Sequence, residues 1–208
     1  MADHILCRAC GSNAHYIFSG TLIDQTVRYY ECDACQFVET EAPYWLEKAY
    51  ASAINDSDTG LVMRNQISAR LTAVTLLLMR KHKGRVVDFA GGYGLLTRLL
   101  RDMGIDASWS DPYCTNLLAK GFEHDGKSAD LVTAFEAFEH FVDPLIEVEK
   151  MFAIAPTIFL STTICPTPTP AHSDWWYYGK EHGQHISLYR ARSLEAIEKK
   201  IRCEVDYE

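Results

Sequence analysis

Residues 85–94 read Arg85-Val86-Val87-Asp88-Phe89-Ala90-Gly91-Gly92-Tyr93-Gly94. The apolar start suits a buried strand, and the small residues that follow stand where a strand hands over to a helix. A side chain at that handover would keep a ligand away from the backbone N–H groups and from the N-terminus of the next helix, so the bare turn is a candidate binding hollow. Taken alone, the glycines fit an ordinary tight turn equally well. Asp111, 17 positions after Gly94 at the tip of the next strand, decides between them, because a carboxylate there can accept two ribose hydroxyls. A dinucleotide fingerprint counted from Gly92 requires Gly or Ala at position 97, where this chain has Thr97. Pyrophosphate binding is therefore disfavoured.

Outward from this stretch the pattern alternates. A strand at 107–110 runs into Asp111-Pro112 and a further helix, with space for only an abbreviated third strand near Lys120–Glu123. A strand at 130–134, a helix at 143–152 and a strand at 157–160 follow. This rhythm predicts an α/β fold with a doubly wound, mostly parallel Rossmann-like sheet covered by helices on both faces. Upstream, Ile67, Leu71, Val74 and Leu78 recur at helical spacing, which predicts an amphipathic helix over 61–81 capped by Gly84. A short helix from Pro43 to Tyr50 and a turn cluster at 55–60 precede it. Downstream, Pro166-Thr167-Pro168-Thr169-Pro170 must be loop, since alternate prolines remove backbone donors and fix φ. Ser193–Lys200 reads as a helix with Ser193 as N-cap, and Arg202–Tyr207 as the start of a strand.

The chain has 208 residues, 48% of them hydrophobic and 23% charged, with a formal net charge of −8. That composition excludes disorder and coiled coil as the main state. The acidic balance argues against nucleic acid or an anionic membrane as the main partner. No segment approaches the roughly 20 apolar residues a membrane helix needs, and the first residues lack the basic flank and apolar stretch of a secretory signal. With seven cysteines, an odd count, the default compartment is the reducing cytoplasm.

Four cysteines form two pairs, Cys7-x-x-Cys10 and Cys32-x-x-Cys35, with short strands between them. Two such turns can converge four thiolates tetrahedrally on Zn²⁺, and Gly11 permits the tight turn after Cys10. Two disulfides or a thioredoxin-like redox pair are the alternatives, and no βαβ pattern surrounds either pair. With four protein thiolates no coordination position is left for substrate, so the ion would be structural, stabilising a small β-rich zinc ribbon over residues 1–40. Cys114, Cys165 and Cys203 read as ordinary thiols.

Asp88-x-Ala90-x-Gly92-x-Gly94 followed by Asp111-Pro112 resembles the first two motifs of class I S-adenosylmethionine-dependent methyltransferases. The resemblance continues through Ala134-Phe135-Glu136-Ala137-Phe138-Glu139-His140-Phe141 with Asp143-Pro144. It also takes in Trp175-Trp176-Tyr177-Tyr178, Glu181-His182-Gly183-Gln184-His185-Ile186-Ser187-Leu188-Tyr189 and Ser193-Leu194. Together these match a bacterial branch of that family over about residues 85–200. Ala90 departs from the pattern, which most often has glycine there. The resemblance implies S-adenosyl-L-methionine as cofactor, its methionine part held by Asp88, Ala90, Gly91, Gly92 and Gly94 and its ribose by Asp111. Phe135 and Glu136 would lie beside it. Phe138 and Phe141 read better as core. Glu139-His140 reads equally as an active-site pair or as a cap that orients the following helix.

The loop after the fifth strand carries His172, His182, His185 and a run of aromatics. Ligands of open α/β sheets bind at that carboxyl edge. Methyl transfer to oxygen or carbon also needs a proton removed, a task that suits a histidine. His182 or His185 is the expected base, with Tyr178 as a positioning group. Against this, His185 also reads as a satisfied core residue, and Trp175-Trp176 as a buried dimer or domain contact, so a homodimer is one of the assemblies to test. The expected organisation is a zinc ribbon (1–40), a helical linker or lid (41–84) and a cofactor-binding domain (85–208). The function expected is methyl transfer to a small molecule. A ribbon joined to such a domain resembles the layout of deoxysugar C-methyltransferases, which implies a sugar or sugar nucleotide. The rivals are a non-catalytic scaffold that keeps the fold, an NAD-dependent enzyme and an RNA methyltransferase.

Overall fold

A computed structural model of the protein describes residues 3–50 and 58–201. Part of the expected turn at 55–60, the expected strand at 202–207 and Cys203 lie outside those residues. The chain divides into two compact units, and neither is a continuous stretch. One comprises Met1–Ala51, Phe138–Glu149 and Thr162–Glu208, the other Ser52–Ala137 and Lys150–Ser161.

The first unit opens with an antiparallel meander: β1 (His4–Leu6), β2 (Asn13–Leu22), β3 (Gln25–Cys32) and β4 (Val38–Thr40). β2 and β3 pair from Ala14↔Cys32 to Leu22↔Gln25, with a bulge at Ile17. The two-residue loop between them puts Ile23 at φ 57°, a conformation that is costly for a β-branched residue. The short helix α1 (Leu46–Ala49) follows.

The second unit begins with α2 (Leu61–Leu78) and continues through β5 (Arg85–Phe89), α3 (Leu95–Asp102), β6 (Asp106–Ser110) and β7 (Leu131–Phe135). Helix α4 (Pro144–Ile154) precedes β8 (Ile158–Ser161). These strands form a parallel four-stranded sheet in the order β6-β5-β7-β8. The expected α/β class and parallel sheet are present. Val86, Ala107 and Leu131 pack with Leu96 and Leu100 of α3 and Ala69 and Leu76 of α2. Val87 and Val132, which alternate to the opposite face, are also fully buried, as a two-sided parallel sheet requires.

Three local expectations need correction. In α2 the contact face is Ala69, Thr72 and Leu76, whereas Ile67, Leu71, Val74 and Leu78 are 48%, 45%, 51% and 78% exposed; small side chains let the helix backbone approach its neighbours. The helix ends not at Gly84 but at Met79, with Arg80 left-handed at φ 57° and Lys81 N–H bonded to Leu76 O at 2.7 Å, a Schellman closure. After Asp111 no helix forms among the described residues up to β7, because side chains capture the backbone donors there. Asp111 Oδ1 accepts from Tyr113 and Cys114 N–H, and Asn116 Oδ1 from Ala119 N–H. The abbreviated third strand survives as one bridge, Trp109↔Glu123.

The chain returns to the first unit after β8. There β9 (Ser187–Leu188) pairs antiparallel with β4, so the cysteine-bearing sheet has five strands in the order β1-β2-β3-β4-β9. The last helix, α5 (Ala191–Ile201), starts before Ser193. Ser193 Oγ instead reaches back to accept Arg190 N–H at 2.9 Å, so it supports the first turn from inside it. Leu22, Val27, Tyr29, Val38, Trp45, Tyr177, Tyr178, Ile186 and Leu188 form this unit's core.

Candidate functional site

In the parallel-sheet unit the turn 90–94 leaves the carboxyl end of β5. A Cβ built on Gly92 would meet nothing within 4 Å, whereas one on Gly91 would come to 2.8 Å from both Asp88 Oδ2 and Trp109 Cδ1. The turn is thus tight beneath and open above. Ala90 and Gly92 are both left-handed, at φ 57° and 53°. For Ala90 that geometry costs roughly 1–2 kcal/mol, which explains why glycine is the better residue there. Glu136, at the tip of neighbouring β7, is also left-handed at φ 49°. Two strained non-glycine residues at adjacent strand ends mark this edge as a place where surrounding structure imposes the backbone path.

Asp111 lies at the end of β6 and turns its carboxylate onto the glycine turn, where Oδ2 accepts the Gly92 N–H at 2.9 Å. Oδ1 accepts Tyr113 and Cys114 N–H at 2.8 and 3.0 Å. The Cys114 thiol also bonds this carboxylate. Burial, with Asp111 beside it, pushes the Cys114 thiol up to about 12. Asp88 is only 3% exposed and accepts hydroxyls from Thr97 and Thr133 at 3.0 and 3.3 Å. Burial raises its carboxyl to about 7. It stands under the turn as a brace rather than at its open side, which amends the expected direct grip on a ligand. Trp109, which the sequence reading did not single out, donates its indole N–H to Gly92 O at 2.8 Å. Phe135 packs edge-on against Phe159 with ring centres 5.0 Å apart, and Glu136 accepts the Ser161 hydroxyl at 2.7 Å.

The first unit gathers the remaining candidates. The four cysteines come together: Cys7 and Cys35 Sγ are 3.7 Å apart, Cys10 and Cys32 Sγ 3.5 Å. Disulfide sulfurs lie at about 2.05 Å, and all four are free thiols. Sulfurs placed tetrahedrally about one ion at roughly 2.3 Å would sit about 3.8 Å apart, so the spacing suits a shared cation. Burial opposes the Cys10 thiolate, but hydrogen bonds from Ser12 and the neighbouring thiols outweigh it and bring the group down to about 7.

A second cluster joins the 3₁₀ turn Phe138–His140 to the loop before β9. A carboxylate oxygen of Glu139 and one ring nitrogen each of His140 and His185 lie within 4.8 Å of one another. The His182 ring centre is 4.7 Å from that of His185. Glu139 is fully buried and accepts hydroxyls from Tyr177 at 2.6 Å and Thr162 at 3.0 Å. The α4 N-terminus is capped by Asp143, whose Oδ1 accepts Ile146 N–H. His185 Nδ1 bonds the Tyr177 carbonyl at 2.6 Å, which makes Nδ1 the protonated nitrogen and leaves the lone pair on Nε2. Burial first, then repulsion by His140 and His182, holds its pKa well below the usual range. His182 Nδ1 accepts Gln184 N–H at 3.1 Å, and its ring lies where a Cβ on Gly179 would be, within 2.3 Å.

Tyr178 is a correction. It is fully buried, its ring meets Phe18, Tyr29, His172 and Trp175, and its hydroxyl donates to Pro170 O at 2.8 Å. The tyrosine whose hydroxyl reaches the cluster is its neighbour Tyr177. A run of four aromatics gives no sign of which one faces the polar group. Phe138 and Phe141 are core, as expected, and Trp176 is 77% exposed.

A family profile described as "Methyltransferase domain" matches residues 63–207. No match is found among curated proteins. Among solved structures, the plantazolicin methyltransferase BpumL in complex with a monoazolic desmethylPZN analog and SAH is similar at 14% identity, covering 76% of this chain and 71% of that one with a TM-score of 0.47. The SAH-bound form of CalO1, a methyltransferase in calicheamicin biosynthesis, is 14% identical over 77% of this chain and 63% of that one, with a TM-score of 0.38.

Proposed function

The chain belongs to the methyltransferase-domain family and is an S-adenosylmethionine-dependent methyltransferase, and on that premise we propose that its acceptor is a small molecule. The observation that carries the binding site is the open side of Gly92 with the Asp111 carboxylate drawn onto it. The open side of the turn can take the methionine part of the cofactor against bare backbone, and the Asp111 carboxylate a ribose hydroxyl. Trp109 and Asp88 hold the turn in shape from below. The bound cofactor supplies an electrophilic methyl group; the protein aligns the acceptor and excludes water.

The proton of the acceptor is assigned to His185. Its Nδ1–H is held by the Tyr177 carbonyl, so Nε2 is the basic nitrogen, and burial among other imidazoles keeps it unprotonated at neutral pH. His182 spends its Nδ1 lone pair on Gln184 N–H and is placed second. Glu139, buried and hydroxyl-bonded, orients Tyr177, whose carbonyl in turn orients His185. A sugar or sugar nucleotide is the acceptor class proposed, and an acidic chain of net charge −8 disfavours RNA.

The four cysteines are assigned to one structural Zn²⁺, supported by their sulfur spacing. No helix among the described residues is long and apolar enough to cross a membrane, and the six described cysteines are free, which fits the proposed cytoplasmic setting. Two measurements test the reading. Turnover with a panel of hydroxylated acceptors should fall at least about 100-fold in His185→Ala, in the range general-base catalysis contributes; unchanged turnover removes the base assignment. Metal analysis should give one zinc per chain, lost in Cys35→Ser; a metal-free yet folded protein removes the zinc.

A further inference from the structure

Arg8 sits inside the first cysteine turn, between Cys7 and Cys10, and its side chain leaves that turn altogether. Its backbone N–H and Nε both bond Glu39, which is fully buried in β4. One terminal nitrogen donates to Ile186 O at 2.7 Å and to Thr40 O at 3.4 Å, and the other donates to Val142 O at 3.1 Å. A planar guanidinium can hold three directions at once in this way, which a lysine ammonium cannot reproduce.

The carbonyls it holds flank the imidazole cluster. Ile186 follows His185, and its N–H bonds Glu139 O at 2.9 Å. Val142 ends the segment that carries Glu139 and His140, and the neighbouring Phe141 O accepts the Ser187 hydroxyl at 2.7 Å. Around His185 itself stand His140 from the 3₁₀ turn, His182 from its own loop, the Tyr177 ring at 4.4 Å, and the Glu139 carboxylate. Both halves of the cluster therefore hang from backbone that Arg8 clamps to the cysteine-bearing sheet.

We propose that Arg8 is a positioning residue that fixes the His185 imidazole and its Tyr177 hydrogen bond by tying the cysteine turn to the Val142 and Ile186 carbonyls. The cysteine centre then does more than fold its own strands: it sets the orientation of the proposed base. The importance of this for turnover rests on the reading of His185 given above, but the tie itself does not.

The test uses the full chain with its zinc and no other ligand, with histidine ring nitrogens labelled for NMR. In the parent protein His185 should show a single Nδ1–H tautomer with slow proton exchange. Arg8→Ala should keep zinc content and S-adenosylmethionine affinity while the His185 Nδ1–H exchanges at least about tenfold faster, the change expected when one hydrogen-bond constraint of about 1.4 kcal/mol is lost. Arg8→Lys, which retains the charge opposite Glu39 but not the fork, should be intermediate. Leu100→Ala, a core truncation in α3 whose buried neighbours are those of the parallel sheet and α2, serves as the destabilised control and should leave the His185 signal as it was. The proposal is overturned if either Arg8 variant folds with the parent tautomer and exchange rate, or if Leu100→Ala perturbs His185 as much. Failure of the parent protein to bind S-adenosylmethionine would instead count against the proposed function and leave the NMR result standing.

Discussion

A carboxyl group buried beneath a tight turn works against folding once it ionises, and Asp88 is such a group. Its folded pKa is raised to about 7 from 3.8, so between those values the folded chain keeps a proton that the unfolded chain has released. The resulting penalty is absent below 3.8, grows as pH rises and is complete above about 7, reaching at most about 4 kcal/mol. Asp88→Asn keeps the shape without the charge, and urea unfolding should show it gaining stability over the parent at pH 8 but not at pH 4. Equal differences at both pH values would contradict the assignment. His185 has the opposite sign. Its folded pKa is depressed, so its contribution is present above the ordinary histidine range and is lost as pH falls below it. Ala90, left-handed at φ 57°, yields a second prediction. Ala90→Gly should raise stability by a few tenths to about 1 kcal/mol in the same assay; a loss would mean that the methyl group makes contacts that outweigh the strain.

Helix α2 shows where periodicity informs and where it misleads. The spacing of Ile67, Leu71, Val74 and Leu78 correctly marks a helix but assigns its buried side wrongly, because Ala69, Thr72 and Leu76 make the contacts. A stripe of large apolar residues identifies helical rise, while close approach to a sheet selects small ones. Leu76→Ala should therefore cost about 2–5 kcal/mol, while Leu71→Ser, 45% exposed, should stay within about 0.5 kcal/mol. Comparable losses at both sites would restore the larger stripe as the core face. The parallel strands were legible because their β-rich runs alternate with helices at regular distance. The missing helix after Asp111 was not, since Asp111 and Asn116 redirect backbone donors by bonds that leave no periodic trace.

At the scale of the whole molecule, the sequence order of motifs and the composition of the compact units differ. The residues proposed to hold the cofactor, Asp88, Gly92, Asp111, Phe135 and Glu136, belong to one unit, and Glu139, His140, His182 and His185 to the other together with the four cysteines. A local reading finds each motif but cannot see that residues 187–188 pair with β4 as the fifth strand of the cysteine-bearing sheet, a two-residue strand with no hydrophobic alternation to announce it. Nor could it see Arg8 reaching across to Ile186, since such a long-range bond has no spacing rule.

The central claim is that the turn at Gly92 and the carboxylate of Asp111 form the seat of S-adenosylmethionine, and calorimetric titration tests it most directly. The parent protein should bind S-adenosylmethionine with one site per chain, and Asp111→Ala should bind roughly 10- to 100-fold more weakly, as expected for loss of a charge-assisted hydrogen bond of about 1.5–3 kcal/mol. No heat at millimolar ligand, or equal affinity in the folded variant, would contradict it.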